Sequence, residues 1–578
     1  MTGPLGRPWG HPDPMTTRAS GAHLSRQTSA TADAADFADL SERGSTALPT
    51  RPPRLALTEQ PAVVVTSAPL RLSDITDVAR HRARVDIDDE VHATVAAAHQ
   101  VVVETVRSGS AAYGLNTGLG SARDQVVPEE LLLAFQEQII SSHAAAIGAP
   151  LDVEEVRALV FARLAGISRG GSGASPQLFG ALQALLNAAI HPVVPSQGSV
   201  GSADLVQMAA VGAVLLGKGR VLGEDGVARP AAQALAEAGI APVQLQPKDA
   251  LALIGANSAS VGTGALAIRS IGHLLSNADV VAAHTVRALD ANTAVFDDDL
   301  VRARPLPGQI SSAARIRAAL AGAAGYGSVR SVQDPISVRT VPQVHGVAID
   351  QLEHVAAMLK VELNSRSENP LVRLEDRRVI SNGNFSLLGV AVGFEGLRLT
   401  LAHVGMLAER RIALLARTLR AHAPVAEHIR AQRWRSDYLV PVLLANTAAA
   451  IVAELKQLAS PLTVMGTPVA DGVEDHNSLA FGAIQLTVTA AGWVQTLQAL
   501  ELLLASDLVL QRSPAAGVPV TDSGQLVAAV LVQLPAGATT DLVVERLRSQ
   551  LVDTCLVADC LADQVVAADM TRTGVLSM

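Results

Sequence analysis

The chain has 578 residues, 49% of them hydrophobic and only 17% charged, with a formal net charge of −9. That length and apolar content provide for a large folded core. A deficit of positive charge on so sparsely charged a chain excludes nucleic acid as a partner, which calls for a basic face.

Residues 1–60 are rich in Pro, Ser, Thr, Ala and Gly and read as a disordered extension without an apolar signal-peptide core, with Met15 an alternative start. Val63-Val64-Val65 predicts a short strand, followed by a helix from Ser73, as N-cap, to Arg84. Helical periodicity then dominates, over Ala252 to Leu289, Val390 to Leu419 and Leu439 to Leu458. Leu352, Val355, Ala356, Leu359 and Leu363 fall on one helical face. Arg377 to Ile380 predicts a hairpin beside Asn382-Gly383. The uncharged run Leu479 to Leu500 is long enough to span a membrane, but Gln485, Thr487, Thr489, Gln495 and Gln498 interrupt it and favour a buried bundle helix. Aromatic residues make up 2% of the chain, so Ala, Leu and Val must fill the core, as suits long close-packed helices. The expected fold class is mainly α, a bundle of long antiparallel helices with a smaller N-terminal lobe. Residues 61–250 form the expected N-terminal lobe and 251–578 the bundle and C-terminal helices. Cys555 and Cys560 have no metal-ligand spacing, no metal is expected, and a reducing cytoplasm is the simplest setting.

Several short segments carry chemistry. They are Tyr113-Gly114-Leu115-Asn116-Thr117-Gly118, Ser142-His143-Ala144-Ala145, Gly198 to Leu205, Gln333-Asp334-Pro335 with Arg339, Asn382-Gly383-Asn384-Phe385, Glu409-Arg410-Arg411-Ile412 and Glu474-Asp475-His476. In this order, from about Pro61 to about Ala536, they resemble the blocks of the histidine and aromatic amino acid ammonia-lyase family. The resemblance implies that Tyr113 is the general base at the β-carbon, Arg339 holds the substrate carboxylate, and His143, Asn384, Phe385 and Glu474 meet its ring and amine. Glu474 also reads as a helix-capping acid, and His143 as an ordinary core histidine. The resemblance further implies a homotetramer whose active sites each draw on more than one chain.

The departures fall around one feature. In that family an Ala-Ser-Gly tripeptide cyclises into methylidene-imidazolone (MIO), the electrophile that takes the substrate. The matching segment here is one residue shorter and reads Gly201-Ser202-Ala203. Cyclisation needs the third residue's nitrogen to approach the first residue's carbonyl in a bend that a Cβ on Ala203 obstructs. Ala19-Ser20-Gly21, in the N-terminal tail, is a coincidental match. The family's asparagine beside MIO corresponds to Gly255, its glutamine to Ser258, and two tyrosines to Ile336 and Gly171. Ser202 is left as an intact turn residue, a helix cap or part of an unusual MIO, while Ser202 and Asp204 precede an apolar run that starts a helix. The expected function is therefore an MIO-deficient, lyase-type enzyme using Tyr113 for elimination, addition, isomerisation or cyclisation on a small amino-acid-like carboxylate. A conventional MIO-dependent ammonia-lyase or 2,3-aminomutase, and a noncatalytic scaffold, are the alternatives; neither a nucleic-acid nor a membrane partner is expected.

Overall fold

The computed structural model describes residues 62–223, 226–321, 332–422, 440–512, 522–535 and 537–567. The N-terminal extension, with Ala19-Ser20-Gly21, lies outside them.

The fold is mainly α, as the helical periodicity predicts. Its spine is the 32-residue helix Ser258–Leu289, buried along nearly its whole length. Around it pack Val153–Ser168, Val341–Leu363, Leu388–His422 and Ala480–Arg512. Glycine permits one close crossing: a Cβ on Gly262 would lie 2.6 Å from the backbone of Ala158 and Leu159 in the facing helix. The predicted stripe Leu352, Val355, Ala356, Leu359 and Leu363 is at most 2% exposed. The run Leu479 to Leu500 falls in the bundle helix Ala480–Arg512, whose most apolar stretch is 78% buried. By length and composition this helix, the span Asp249–Leu289, which holds the spine helix, and Leu388–Ala421 could each cross a membrane.

Strands are few and short. Ala62–Val65 pairs in parallel with Arg84–Ile87, Ile147–Pro150 antiparallel with Pro195–Gln197, and Arg220–Leu222 lies between His191–Pro192 and Ala228–Pro230. One apolar core extends from Val63 to Val566. The expected lobe boundary at 250/251 falls inside the helix Asp249–Ile254.

Three local expectations are corrected. The first helix is Leu72–Ala79: Asp74 accepts from the Arg71 amide at 2.7 Å, closing a capping box that moves the start ahead of Ser73. The hairpin Leu371–Arg373 with Arg378–Ile380 turns through residues 374–377, with Arg377 at φ 53°. Asn382-Gly383 lies beyond it, and the Asn382 side chain instead donates to the Glu368 carbonyl at 2.9 Å. The long periodic stretch from Ala252 breaks at Gly255 to Asn257, giving Asp249–Ile254 and Ser258–Leu289. That break faces the pocket described next.

Candidate active site

Tyr113 stands on a loop that is braced rather than slack. Asn116 clamps it, its Oδ1 accepting from the Ala112 amide at 2.8 Å and its Nδ2 donating to the Ser110 carbonyl at 2.9 Å. Gly114, at φ 67°, allows the loop to lie against Leu251, onto whose Cδ2 a Cβ would fall. Gly114 therefore serves close approach. The Gly120 amide donates to Tyr113 Oη at 3.2 Å and fixes the aim of the hydroxyl.

His143 ends the helix Leu132–His143, and its Nδ1 lies 2.8 Å from the Ile139 carbonyl. A carbonyl only accepts, so Nδ1 carries the proton in that bond, and in the neutral ring Nε2 is then the acceptor nitrogen.

At Ser202 the backbone doubles back. Gly201 pairs with Ala203 across it, and Ser202 pairs with Ser386. The chain thus bends tightly at the tripeptide, whose residues are reversed in size relative to Ala-Ser-Gly. Ala203 holds φ 67°, where a Cβ costs about 1–2 kcal/mol. Gly201, at φ 84°, cannot carry one: a Cβ there would fall onto Ser478 Oγ and 2.5 Å from the Leu479 amide nitrogen. Ser478 Oγ in turn donates to the Gly201 carbonyl at 2.8 Å. From these contacts, Ala203→Gly is expected to stabilise the protein by about 1 kcal/mol and Gly201→Ala to destabilise it by about 1–3 kcal/mol. Urea midpoints of the two variants check both signs.

Asp204 precedes the helix Leu205–Leu215, as the sequence suggests, but its side chain does not cap that helix. It is fully buried and accepts from Ser199 Oγ at 2.9 Å, the Ser260 amide at 2.7 Å and Ser260 Oγ at 3.1 Å, joining the bend to the spine helix. Burial pushes its carboxyl up to about 6, against these hydrogen bonds. The folded protein therefore binds this proton more tightly than the unfolded chain, where aspartate titrates near about 3.9. Its contribution to stability is fully present below that value and is lost as pH rises through about 6. Asp204→Asn is expected to flatten this part of the stability profile, as urea midpoints measured from acidic to neutral pH would reveal; parallel profiles would contradict the assignment.

These segments converge on a cavity of about 520 Å³ lined by Tyr113, His143, Ser202, Ala203, Phe385 and Glu474, with Leu119, Leu205, Leu251 and Val473 as its apolar wall. That volume suits a small organic ligand. Burial pushes the Glu474 carboxyl up, opposed by the Ser202 hydroxyl and nearby His143. Ser202 Oγ is also 3.3 Å from Asn477 Oδ1. Gly255 borders the cavity, and Asn257, two residues on, donates to the Phe385 carbonyl at 2.9 Å.

Two expected substrate contacts are not brought into this cavity. Asn384 is exposed, its amide turned to Asn382 Oδ1 at 2.8 Å. Arg339 lies on the separate short helix Ile336–Arg339, where the Gln333 amide oxygen accepts from Nη2 at 3.0 Å and Nη1 at 3.2 Å. Ile336 on the same helix is 63% exposed. Asn369 and Ser381, which line the cavity, were not singled out from the sequence. They come from turns flanking the hairpin, and neither carries a local motif.

The geometry accords with what the chain resembles. A family model described as aromatic amino acid lyase matches residues 70–531. A histidine ammonia-lyase from Aromatoleum aromaticum is 36% identical over 458 residues, covering 78% of this chain and 86% of that protein. Among solved structures, tyrosine aminomutase from Streptomyces globisporus superposes with a TM-score of 0.76 at 27% identity, covering 85% of this chain and 97% of the other. Histidine ammonia-lyase from Trypanosoma cruzi gives a TM-score of 0.76 at 26% identity, covering 89% and 98%.

Proposed function

This chain belongs to the aromatic amino acid lyase family, ammonia-lyase-like carbon–nitrogen lyases, and from that premise we propose that it acts through Tyr113 without MIO, on an amino-acid-like carboxylate that brings its own activation. One observation carries the reading: the nitrogen that would close the MIO ring belongs to Ala203, whose Cβ stands in the bend, in the same cavity as an intact Tyr113, His143 and Glu474. The residues around the tripeptide do not fit the electrophile either. Gly255 supplies no side chain beside it.

In the elimination direction, Tyr113 Oη accepts the proton as the β C–H bond breaks. The electron pair forms the C=C bond, and the α-substituent leaves with its own bonding pair. An unactivated β-hydrogen is too weakly acidic for a tyrosinate alone, because general base catalysis supplies only about 10²- to 10⁴-fold in rate. The substrate must therefore bring a leaving group better than ammonia, an acidified C–H or an electron-poor double bond. Glu474 and the Nε2 of His143 orient its polar groups, while Phe385 and the leucine wall take its ring.

We further propose a homotetramer in which Arg339 completes a neighbouring subunit's cavity and holds the carboxylate. Exposed Val347 and Val361 on one long helix, and Val392 and Leu399 on the next, support an apolar interface. Bidentate arginine suits a carboxylate.

The doubled-back bend and the likeness to histidine ammonia-lyases favour a second reading, in which Gly201-Ser202-Ala203 still cyclises. Turnover separates the two, read as ultraviolet absorbance of the conjugated product. Aryl-alanines that release ammonia should remain unconverted, whereas 3-arylpropanoates carrying a better α-leaving group should be converted. Release of ammonia from histidine or tyrosine would overturn the proposal.

A further inference from the structure

Another cavity, of about 340 Å³, lies between the strand Arg84–Ile87 and the end of the helix Pro176–Asn187, and shares no residue with the first. Arg82, Ala83, Arg84, Leu186 and Asn187 line it. The lining is fixed at the backbone. Asn187 grips one residue of the strand twice: its Oδ1 accepts from the Val85 amide and its Nδ2 donates to the Val85 carbonyl, each at 2.9 Å. Gln183 Nε2 donates to the same carbonyl at 3.0 Å. The Ala83 amide donates to the Asp77 carbonyl at 2.9 Å, and Ala83 is buried between the two arginines.

A third guanidinium reaches this lining from the core. Arg157 is 2% exposed; its Nε donates to the Val78 carbonyl at 2.8 Å and its Nη1 to the carbonyl of Leu186, a lining residue, at 3.0 Å. Both carbonyls belong to the last turns of helices, Leu72–Ala79 and Pro176–Asn187, whose ends carry only partial negative charge. Among the described residues no carboxylate pairs with Arg157, so a buried cation is left without a full counter-charge. Burial, and after it Arg82, pushes this guanidinium down to about 10. His191, itself buried, registers the same field: burial, then Arg157 and Arg82, pushes its imidazole down to about 4, and its Nδ1 has no hydrogen bond. Arg84 meets Asp86 at 2.9 Å, in a pair open to solvent. Positive charge thus gathers at this cavity in a chain whose net charge is −9.

We propose that the cavity between Arg82 and Asn187 binds a small oxyanion, phosphate or a carboxylate. Arg82 and Arg84 line it from one strand end, and their planar, multiply donating guanidiniums match the oxygens of either group in charge-assisted hydrogen bonds. Arg157 adds attraction from the core without needing to touch the ligand, and the bound anion supplies the counter-charge that the protein leaves out. The volume admits a small anion with part of its water shell and excludes long polyanions.

The full chain is titrated calorimetrically with sodium phosphate and, separately, with sodium succinate, each against sodium chloride at matched ionic strength. At least one oxyanion should bind at one site per chain and raise the urea midpoint, as a ligand held only by the folded state must. The tighter of the two identifies the source. Arg82→Gln and Arg84→Gln should each weaken that binding roughly tenfold, the loss of a hydrogen bond to a charged group. Arg84→Gln alters an exposed side chain, so it keeps the test decisive where Arg82→Gln fails to fold. The proposal is overturned if neither anion binds or stabilises beyond chloride. It is equally overturned if the arginine variants bind as tightly as the parent chain, which would place the anion elsewhere.

Discussion

Replacing Tyr113 by phenylalanine lowers kcat by roughly 10²- to 10⁴-fold and leaves KM within a small factor. The ring keeps its packing and its place against the cavity wall. Only Oη is lost, and with it the group proposed to take the β-proton. The Gly120 amide then lacks the acceptor it has at 3.2 Å, which carries an expected stability cost of about 1 kcal/mol, too little to unfold the protein. A scaffold that had kept the fold and lost the chemistry would show no such split. Full activity in Tyr113→Phe would remove the base from the account, whereas a matching fall in affinity would recast Tyr113 as a binding residue.

The largest effect on stability is expected far from the cavity. Arg411 and Glu501 form a bidentate pair at 2.7 and 2.9 Å, with side chains no more than 2% exposed. Glu501 also accepts from Thr285 Oγ1 at 2.6 Å, and Arg411 Nη1 donates to the Ser337 carbonyl at 3.1 Å. Three long helices are thereby joined to the short helix bearing Arg339. Glu501→Gln leaves the buried guanidinium uncompensated and should cost about 3–5 kcal/mol, read as a fall in the urea midpoint. The double variant Arg411→Met, Glu501→Leu should recover most of that loss, because no charge is then buried alone. A double variant as unstable as the single one would show that packing, not charge, dominates here.

The long helices were legible because their apolar positions recur at the helical period over many turns, as on Leu352 to Leu363. Starts and turns were less so. Ser73 has the chemistry of an N-cap, yet the Arg71–Asp74 capping box begins the helix earlier. Asn382-Gly383 has the chemistry of a hairpin turn, yet the chain turns at Arg377. In each case two competing local signals lay a few residues apart.

The cavity was legible in the motifs of Tyr113, His143, Ser202, Phe385 and Glu474, which the fold gathers from distant segments. Asn384 and Arg339 were named for the same site but stand outside it within one chain. Nor did Asp204 announce its carboxyl as the link between bend and spine, since Ser260, its principal partner, is 56 residues away.

The most direct test of the account is the intact mass of the purified protein, with peptide mapping across Val193 to Arg220. The expected result is the unmodified mass, with Gly201, Ser202 and Ala203 as ordinary residues. A loss of two water masses within that tripeptide would show that MIO forms despite Ala203, and would make ammonia elimination the chemistry of this site.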